Sequence, residues 1–556
     1  MTPAKRFFSL LRLDSKDVSQ IFFYALFAGF ISLSLPLGIQ AIINFIQSGR
    51  VSVSWIVLVI FVIAGVALVG ILSLMQLRIT ENLQQKIFVR SSFEFAYRLP
   101  KIRFGETHTN VYPPEIANRF FDTMSIQKGV SKLLIDFSSA LLQIGFGIIL
   151  LSLYHPFFIL FGILLIILLY LIFKFSYRPG LETSLSESKY KYKAADWLQE
   201  IARNTSSFRT ILNFNFALDK NNTLVEGYLK YREQHFNIIR RQFIQLIIFK
   251  IIITAGLLLI GGFLVINQQM NIGQFVAAEI VILLVINSVE KIIIGLESFY
   301  DVLTSVEKIG QVSDMDLDDE KYSDVLPEGT EMTIAAENVR FHYPDAKKDA
   351  LKNVNLQILP GEKILLQGNN GAGKTTLIRI LSGLLQPTSG VLSINDDSLL
   401  KIDPASYRAR IGYIIQGETP FEGTIRENIT FNNPSISMED LRWALDAVQL
   451  TDFVKSLPDG LDTKIFPEGR HLSSSNAQKI LLARSIVHRP SILFYEDPTD
   501  RMDNEATKAI IKFIFSDKNP WTVVVSSASL HWEEGATRRI TMENGKIIND
   551  QYFTPC

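Results

Sequence analysis

The segment of this chain best suited to chemistry is the octapeptide GNNGAGKT, which fits the pattern G-x-x-x-x-G-K-[ST] at each defined position. It follows the apolar run KILLQ and precedes the helix-like run TLIRILSGLL. Its glycines let backbone N–H groups turn towards a phosphate, and the N-terminus of the next helix adds its dipole. We therefore predict a nucleotide-binding loop with the residues Gly368, Asn369, Asn370, Gly371, Ala372, Gly373, Lys374, Thr375 and Thr376.

Two further groups of polar residues follow predicted strands. The run IGYII places a strand before Gln416, and the run SILFY is followed by the acids Glu496 and Asp497. Between them, the stretch LSSSNAQKILLARS combines a helix start with a basic amphipathic helix. A phosphate loop alone fits kinases, GTPases and many other ATPases. The two further groups of polar residues therefore narrow the class of nucleotide-binding protein.

Composition divides the chain into the elements that must position these residues. A chain of 556 residues is too long for one small core, and its apolar residues concentrate before residue 300. The first half therefore has the composition of a membrane protein and the second that of a soluble one.

Charge and cysteine content exclude several functions. Lys and Arg together number 55, as do Asp and Glu, and this balance argues against a nucleic-acid partner. A single cysteine, Cys556, excludes an intrachain disulfide and a cysteine metal cluster.

Long uncharged runs predict six membrane spans, because each is long enough to cross a hydrocarbon core of roughly 30 Å. Val18 to Gly49 and Val51 to Leu77 give one span each, whereas Phe137 to Phe173 is broken by Tyr154-His155-Pro156 into a hairpin. A last pair is joined by the polar turn NQQMN. The expected spans are about 21–46, 53–77, 133–153, 157–174, 243–267 and 272–294.

Charge in the connections predicts the orientation in the membrane. Arg50 is the only Lys or Arg in the three short connections, whereas the long ones at 78–136 and 174–241 are rich in both. By the positive-inside rule, the long connections and both termini are expected in the cytoplasm. We expect the membrane to be the cell (inner) membrane. Apolar spacing persists along the long connections, so we expect the helices to continue beyond the bilayer.

Charged residues within or near the predicted spans are costly in a bilayer and need a partner or a cavity. Glu279 falls inside the sixth span, where a cavity or transport role and a hydrogen bond between helices remain equal alternatives. Lys250 lies near the cytoplasmic end of the fifth span, and we expect its side chain to extend to the lipid headgroups.

An acidic and polar stretch marks the domain boundary. Residues 312–331 include SDMDLDDEKYSDVLPEGTE, which is nearly free of apolar periodicity and typical of a linker. We expect an all-α membrane domain at residues 1–311 and an α/β phosphate-loop cassette at residues 332–556.

In its order of motifs the chain resembles the ATP-binding cassette exporters of the type I fold, which fuse six membrane helices to a cassette. The resemblance covers nearly the whole chain and implies ATP and Mg²⁺ as cofactors, with Thr375, Gln416 and Glu496 beside the metal. It implies a catalytic set of Asp497, Glu496 and Gln416, the last between the catalytic site and the membrane domain. It also implies that Tyr343, in RFHYP, stacks on adenine. Asp503 matches the loop aspartate that follows the acidic strand of the family.

The membrane half extends this resemblance. PEIANRFFDTMSIQKGV and SSFRTILNFN resemble the two cytoplasmic coupling regions that dock on the cassettes. SLPLGIQAII and IGQFVAAEI are most similar to exporters of peptides and proteins in type I secretion, and we expect the cysteine-peptidase domain of some of these to be absent. The resemblance implies three kinds of partner: the lipid bilayer, a second half-transporter in a homodimer or heterodimer, and periplasmic or outer-membrane export components.

The acidic pair departs from the family pattern. The family strand ends in Asp-Glu, the first assisting magnesium and the second polarising the attacking water, but here the pair is Glu496-Asp497. The interval from Asp497 to Asp503 matches the family spacing, so the acids are exchanged without a register shift. Asp withdraws the carboxylate by one C–C bond, roughly 1.5 Å. A misplacement of about 1 Å can cost on the order of 100-fold in rate, so we expect slow hydrolysis.

Two other family positions are altered. The histidine that contacts the γ-phosphate aligns with Ala528, and His531 could replace it only if the loop were remodelled. The signature LSGGQ is LSSSN here, which keeps Ser473 but places Ser474 and Ser475 where glycines permit close backbone approach. We expect weaker binding across a dimer interface.

Two functions of different classes follow. The first is ATP-driven export of a peptide, protein or hydrophobic substrate by a dimer of half-transporters with slow hydrolysis. The second is a regulatory or scaffold subunit of a heterodimeric transporter that binds ATP but hardly hydrolyses it. We favour the first, because a difference in nucleotide affinity between two conformations can shift their populations without fast turnover.

Overall fold

The computed structural model describes residues 1–47, 53–102, 113–210, 213, 215–318, 324–326, 331–344, 346–527 and 529–553. The chain forms two compact units. The helical unit comprises Met1–Pro100 and Pro113–Met315, and the cassette unit comprises Lys101–Tyr112 and Asp316–Cys556. Arg50, Ala528 and Cys556 lie outside the described residues, as do parts of the predicted linker.

The helical unit consists of long helices joined by a few short ones. In chain order they are α1 Pro3–Leu13, α2 Ser15–Ser32, α3 Ser34–Gln47, α4 Val53–Arg98, α5 Pro113–Asn118, α6 Asp122–Tyr154, α7 Phe157–Arg203, α8 Thr205–Arg209, α9 Phe216–Gly256, α10 Gly262–Ile266 and α11 Ile272–Ser313. Within the described ranges, six helical segments of 33 to 51 residues are long and apolar enough to cross a membrane. This confirms the predicted six-helix class. Their lengths exceed the roughly 20 residues that a bilayer core requires.

Local sequence explains where the membrane helices begin and end. α6 ends at Tyr154 and α7 begins at Phe157, because Pro156 lacks the N–H that would continue a helix. Asn271 caps α11: its side chain accepts a hydrogen bond from the Gln274 N–H at 2.7 Å, and the Gln274 side chain accepts one from the Asn271 N–H at 2.9 Å. This capping box satisfies N–H groups that a helix start leaves unpaired.

An ion pair inside the helical unit involves Lys250, which the sequence places near the end of a span. Lys250 Nζ on α9 lies 2.6 Å from Glu290 Oε2 on α11, so the two helices are joined by an ion pair. The expected extension of Lys250 to the lipid headgroups stays a prediction. Pairing offsets the cost of placing both charges at membrane depth. Glu279 is half-buried on α11, and its side chain forms no hydrogen bond or ion pair with another described residue. A cavity or transport role for Glu279 therefore stays a prediction.

Twelve strands form three sheets within the described part of the cassette unit. The strands are β1 Ile334–Phe341, β2 Leu351–Ile358, β3 Lys363–Gln367, β4 Ser389–Ile394, β5 Asp397–Ser398, β6 Ile411–Ile414, β7 Gly423–Thr424, β8 Lys464–Ile465, β9 Ile492–Glu496, β10 Thr522–Ser526, β11 Arg538–Glu543 and β12 Lys546–Tyr552. The helices between them are α12 Lys374–Leu381, α13 Pro404–Arg408, α14 Ile425–Thr430, α15 Met438–Ala447, α16 Thr451–Ser456, α17 Ser474–Ile486 and α18 Asn504–Ile514.

The six-stranded sheet carries the candidate site. Its order is β12-β11-β3-β10-β9-β6, and all neighbours are parallel except β11 and β12. Its central strands are buried on both faces: Ile364 and Val524 belong to one apolar core, and Leu365 and Val523 belong to the other. Burial on both faces explains why these strands are continuous apolar runs in the sequence. The arrangement confirms the predicted α/β cassette.

Candidate nucleotide site

Four neighbouring parallel strands end at one edge of the six-stranded sheet. β3 leads to the loop at Gly368, β9 ends at Glu496, and β6 is followed by Gln416, while β10 lies between β3 and β9. The carboxyl ends of parallel strands share an edge, which is where α/β sheets bind ligands. The topology therefore brings together residues that lie far apart in the sequence.

The phosphate loop requires glycine at its two ends. Gly368 has φ +140°, and a Cβ there would lie 2.2 Å from the Met542 carbonyl oxygen. Gly373 has φ +102°, and its Cβ would lie 2.8 Å from the Ala350 carbonyl oxygen. Side chains are excluded at both positions by backbone conformation and by contact with a neighbouring backbone. The loop is thus held against two other segments of the cassette unit.

The helix α12 begins directly after Gly373, so its free N–H groups face the loop. Lys374 Nζ donates to the Gly368 carbonyl at 2.7 Å and to the Asn369 carbonyl at 3.2 Å, which keeps the ammonium group over the loop. Thr375 stands in the first turn of α12. The segment has the positive charge and the backbone donors that a triphosphate requires.

Tyr343 reaches the same loop from the end of β1. Its hydroxyl lies 3.2 Å from Thr376 Oγ1, and the edge of its ring contacts Phe341 with a centroid separation of 4.8 Å. The phenol ring is partly buried against the core of the cassette unit. Its expected stacking on adenine stays a prediction, and its position beside α12 is compatible with that role.

Glu496 is buried at the end of β9 and is bound by an arginine. Arg379 Nε donates to Glu496 Oε1 at 2.8 Å, and Arg379 Nη2 donates to Oε2 at 3.1 Å. The Gln416 backbone N–H also donates to Oε2, at 3.2 Å. A carboxylate has about four lone-pair positions, so most of its acceptor capacity is used.

This geometry bears directly on the expected magnesium ligands. Mg²⁺ requires oxygen ligands in near-octahedral geometry, which at nucleotide sites come from one or two carboxylates, the phosphates and water. Glu496 is the only carboxylate of the predicted set, and both of its oxygens already accept hydrogen bonds from Arg379 and Gln416. The side chains of Thr375 and Gln416 are neutral, so they do not supply the negative charge that a carboxylate ligand brings to the metal. The structure therefore shows Glu496 engaged by Arg379, and the expected magnesium ligands Thr375, Gln416 and Glu496 stay a prediction.

Asp497 follows Glu496 with a backbone that leaves the strand. Its φ is +44°, a conformation that Asp tolerates better than most residues, and its N–H donates to the Ser526 carbonyl at 2.8 Å. The side chain is half-buried beside the end of β10. Asp503 begins α18, where its carboxylate accepts from the Ala506 N–H at 2.8 Å. This hydrogen bond lowers the pKa of Asp503.

The altered signature starts α17. Ser473 is the N-cap, and its Oγ accepts a hydrogen bond from the Asn476 N–H at 3.2 Å. Ser474 and Ser475 occupy the first turn, and Ser474 is exposed. The serines therefore serve as a helix start, and their predicted role across a dimer interface stays a prediction.

The switch position is only partly described. Ala528 lies outside the described residues, and His531 stands in the short 3₁₀ turn Leu530–Trp532. Trp532 is fully buried and its Nε1 donates to Thr499 Oγ1 at 3.1 Å, which fixes this turn. His531 Nδ1 is buried without a hydrogen-bond partner in the described part of the chain. The expectation that His531 replaces the switch histidine only in a remodelled loop is not tested by these contacts.

Sequence reasoning missed Arg379. It stands in the run TLIRILSGLL, whose apolar spacing predicts a helix but not which strand the helix faces. A signal was present, because a lone arginine in an apolar helix of a buried site requires an acidic partner. Choosing that partner among the acids of the cassette required the tertiary structure.

Comparisons with known proteins assign the family. The model described as the ABC transporter transmembrane region matches residues 18–289, and the model described as ABC transporter matches residues 351–500. The first match covers five predicted spans and most of the sixth, and the second includes the phosphate loop, the signature and both acids. The chain belongs to the ATP-binding cassette transporter family. The cassette match implies that this transporter binds ATP, and its six apolar helices make it an integral membrane protein.

Curated relatives of the transporter are toxin-translocation proteins. It is 32% identical over 313 residues to the α-hemolysin translocation ATP-binding protein of Escherichia coli O157:H7, covering 56% of this chain and 44% of that protein. It is also 32% identical over 289 residues to the leukotoxin translocation ATP-binding protein of Mannheimia glucosida, covering 52% and 41%. The matched segment thus spans less than half the length of each relative.

A solved structure shares the fold of the whole chain. The structure of a bacterial Atm1-family ABC exporter with ATP bound superposes with a TM-score of 0.83 at 17% identity. The superposition covers 98% of this chain and 96% of that one. At this identity the likeness shows the fold, and it confirms the expected exporter architecture.

Proposed function

We propose that this transporter exports a peptide, protein or hydrophobic substrate as a dimer and hydrolyses ATP slowly. The observation that carries the proposal is the phosphate loop: Gly368 and Gly373 hold a backbone that a side chain would disrupt, and Lys374 lies over it. The similarity to toxin-translocation proteins supports a peptide or protein substrate.

The dimer follows from the family resemblance, in which each composite site takes its loop and acids from one subunit and its signature from the other. In a homodimer, both sites combine Asp497 with LSSSN. In a heterodimer, one site contains Asp497 and the other contains Ser474 and Ser475. Either assembly has reduced hydrolysis at every site to which this chain contributes.

The proposed location is the inner membrane, with the cassette unit in the cytoplasm. Lys and Arg are concentrated in the long connections, which supports this orientation. Periplasmic or outer-membrane export components are proposed partners, in line with the translocation relatives.

Slow hydrolysis is compatible with export. ATP binding favours one conformation by the difference in its affinity for the two states, and the rate of cleavage only limits how often the cycle resets. Asp497 is shorter than the family's glutamate by one bond, which places the carboxylate farther from an attacking water.

A hydrolysis-impaired regulatory or scaffold subunit is the second candidate. The ion pair between Arg379 and Glu496 favours it, because this pair occupies a carboxylate that the family uses for catalysis. In that case ATP stabilises a heterodimer whose partner supplies the turnover.

ATP-dependent transport in reconstituted membranes decides between the candidates. The full chain is reconstituted alone and with any co-encoded half-transporter, and each preparation is compared with its Lys374→Ala variant. A half-transporter that drives the cycle predicts that Lys374→Ala lowers ATP-dependent transport by the mixed complex. Unchanged transport in that complex contradicts the export proposal and supports the regulatory subunit.

A further inference from the structure

A cavity in the helical unit lies between the first turns of α7 and the end of α9. Its volume is about 230 Å³, and each described residue that lines it is Phe, Leu, Ile or Gly. An apolar cavity of about 150 Å³ stays dry and holds a small hydrocarbon such as benzene. The cavity in this transporter is therefore large enough for part of a hydrocarbon chain, and its lining side chains offer water no hydrogen bond.

The cavity has a buried floor and an exposed rim. The floor comes from three helices, with Phe158 on α7, Ile253 on α9 and Ile282 on α11, each between 2% and 5% exposed. The rim includes Leu160 on α7 and Ile252 on α9, which are 62% and 54% exposed. Because exposed lining residues stand on both α7 and α9, the cavity opens outwards between these two helices.

A π-helical turn, Leu257–Gly261, forms one wall of the cavity. Single π turns occur frequently at functional sites. A Cβ at Gly261 would lie 2.7 Å from Phe275 Cε2, so the turn lies close against α11. A Cβ at Gly256, directly before the turn, would meet nothing within 4 Å. Gly256 therefore leaves open space in the lining, which a larger side chain would fill.

The lining residues all fall within predicted membrane spans. Those of α7 lie in 157–174, those from 252 to 261 lie in 243–267, and Ile282 lies in 272–294. At this depth an unpaired peptide N–H or C=O is strongly disfavoured, and a helix, which pairs them internally, is about 10 Å across and too wide for the cavity. An acyl chain brings only apolar groups. The lining therefore favours a hydrocarbon chain over a peptide.

We propose that this cavity binds the acyl chain of a membrane phospholipid. The chain enters between α7 and α9 and packs against Phe158, Ile253 and Ile282, while the rest of the lipid stays in the bilayer. Lipid chains are as apolar as Leu, so the cavity recognises the chain by its shape. The bilayer supplies such chains at the rim. The site is separate from the nucleotide site, and the inference holds for either candidate function.

The test is photolabelling of the full-length transporter in vesicles of phosphatidylethanolamine and phosphatidylglycerol. The vesicles contain a phosphatidylcholine that carries a diazirine in the terminal part of one acyl chain, and mass spectrometry locates the labelled residues. Any lipid at the protein surface labels the rim. Label on the floor residues Phe158, Ile253 and Ile282 as well is the expected result, because only a chain inside the cavity reaches them. Label confined to the rim overturns the proposal.

A matched pair of glycine variants locates the label in the cavity. Gly256→Leu fills the cavity and is expected to lose the label on the floor while keeping that on the rim. Gly262→Leu is the control: its Cβ also meets nothing within 4 Å, and it stands just after the π turn, outside the lining formed by the described residues. It should keep the label on the floor. Undiminished label on the floor of Gly256→Leu contradicts the proposal.

Label on the rim also reports membrane insertion, because a variant that does not insert loses the rim and floor labels together. Ile260→Phe adds bulk to the wall from within the π turn and is expected to lose the floor label alone, so it decides the question if Gly256→Leu fails to insert.

A free fatty acid that carries the same diazirine tests a second source of hydrocarbon. If the fatty acid labels the floor and the phospholipid does not, the cavity takes a free hydrophobic ligand and its assignment to a membrane lipid is wrong.

Discussion

The phosphate-binding side and the hydrolytic side of the nucleotide site lie at the ends of neighbouring strands, but their residues differ in kind. On the binding side, Gly368, Gly373 and Lys374 satisfy the motif in sequence and in geometry. On the proposed hydrolytic side, Glu496 is paired with Arg379, and the following acid, Asp497, is one methylene shorter than the glutamate of the family. In the proposed function, holding a nucleotide and cleaving it are therefore assigned to separate groups of residues.

Loss of the loop lysine is expected to have the largest effect on this comparison. Lys374→Ala removes the ammonium that lies over the loop, and charge-assisted hydrogen bonds of about 3 kcal/mol correspond to about 100-fold in affinity. ATP binding measured by calorimetry should weaken by that factor. Lys455→Ala, at an exposed position on α16, is the control and should bind like the wild type. Equal ATP affinity of the two variants would show that Lys374 does not contribute to nucleotide binding.

Two glycines of the loop offer a matched test of its scaffold. Gly368→Ala places a Cβ against the Met542 carbonyl and is expected to lower the free energy of unfolding of the cassette by about 3 kcal/mol. Gly371 also has positive φ, but a Cβ there meets nothing within 4 Å. Gly371→Ala should therefore cost only about 1 kcal/mol, the cost of the conformation alone. Denaturant unfolding followed by tryptophan fluorescence measures both, and similar losses would contradict the close approach at Gly368.

The hydrolytic side can be tested by lengthening its short acid. Asp497→Glu restores the missing methylene and is expected to raise ATP turnover by about tenfold, since a displacement of about 1 Å is worth up to 100-fold. Phosphate release by the purified transporter is the measurement. Asp500→Glu makes the same change at an exposed position three residues later and should have no effect. An unchanged rate for Asp497→Glu would show that another altered position limits hydrolysis.

The signature should give the smallest effect. Ser474→Gly with Ser475→Gly restores the family glycines and is expected to raise turnover about threefold, by permitting closer backbone approach across a dimer. The same change removes two side chains from the first turn of α17 and costs roughly 1 kcal/mol or more in helix stability. Turnover and thermal unfolding should therefore move in opposite directions. A fall in both would contradict a role for these positions in the dimer site.

Sequence patterns anticipated the parts of this molecule that depend on local order. Apolar runs predicted the six long helices, and the loop motif lay between a strand and a helix as expected. The pairs Arg379–Glu496 and Lys250–Glu290 were not predicted, because each joins residues that are distant in the chain. A single sequence carries no record of which charges meet across elements. For Lys250 the sequence therefore gave no indication of its partner Glu290.

The central claim is that this transporter binds ATP but hydrolyses it slowly. The most direct test is the turnover number of the full chain alone, in lipid and at saturating nucleotide. Enzymes have a median turnover of about 10 s⁻¹, and a loss of about 100-fold at the displaced acid predicts about 0.1 s⁻¹ or less. A turnover near 10 s⁻¹, abolished by Lys374→Ala, would contradict the claim and show that Glu496 and Asp497 form a competent catalytic pair.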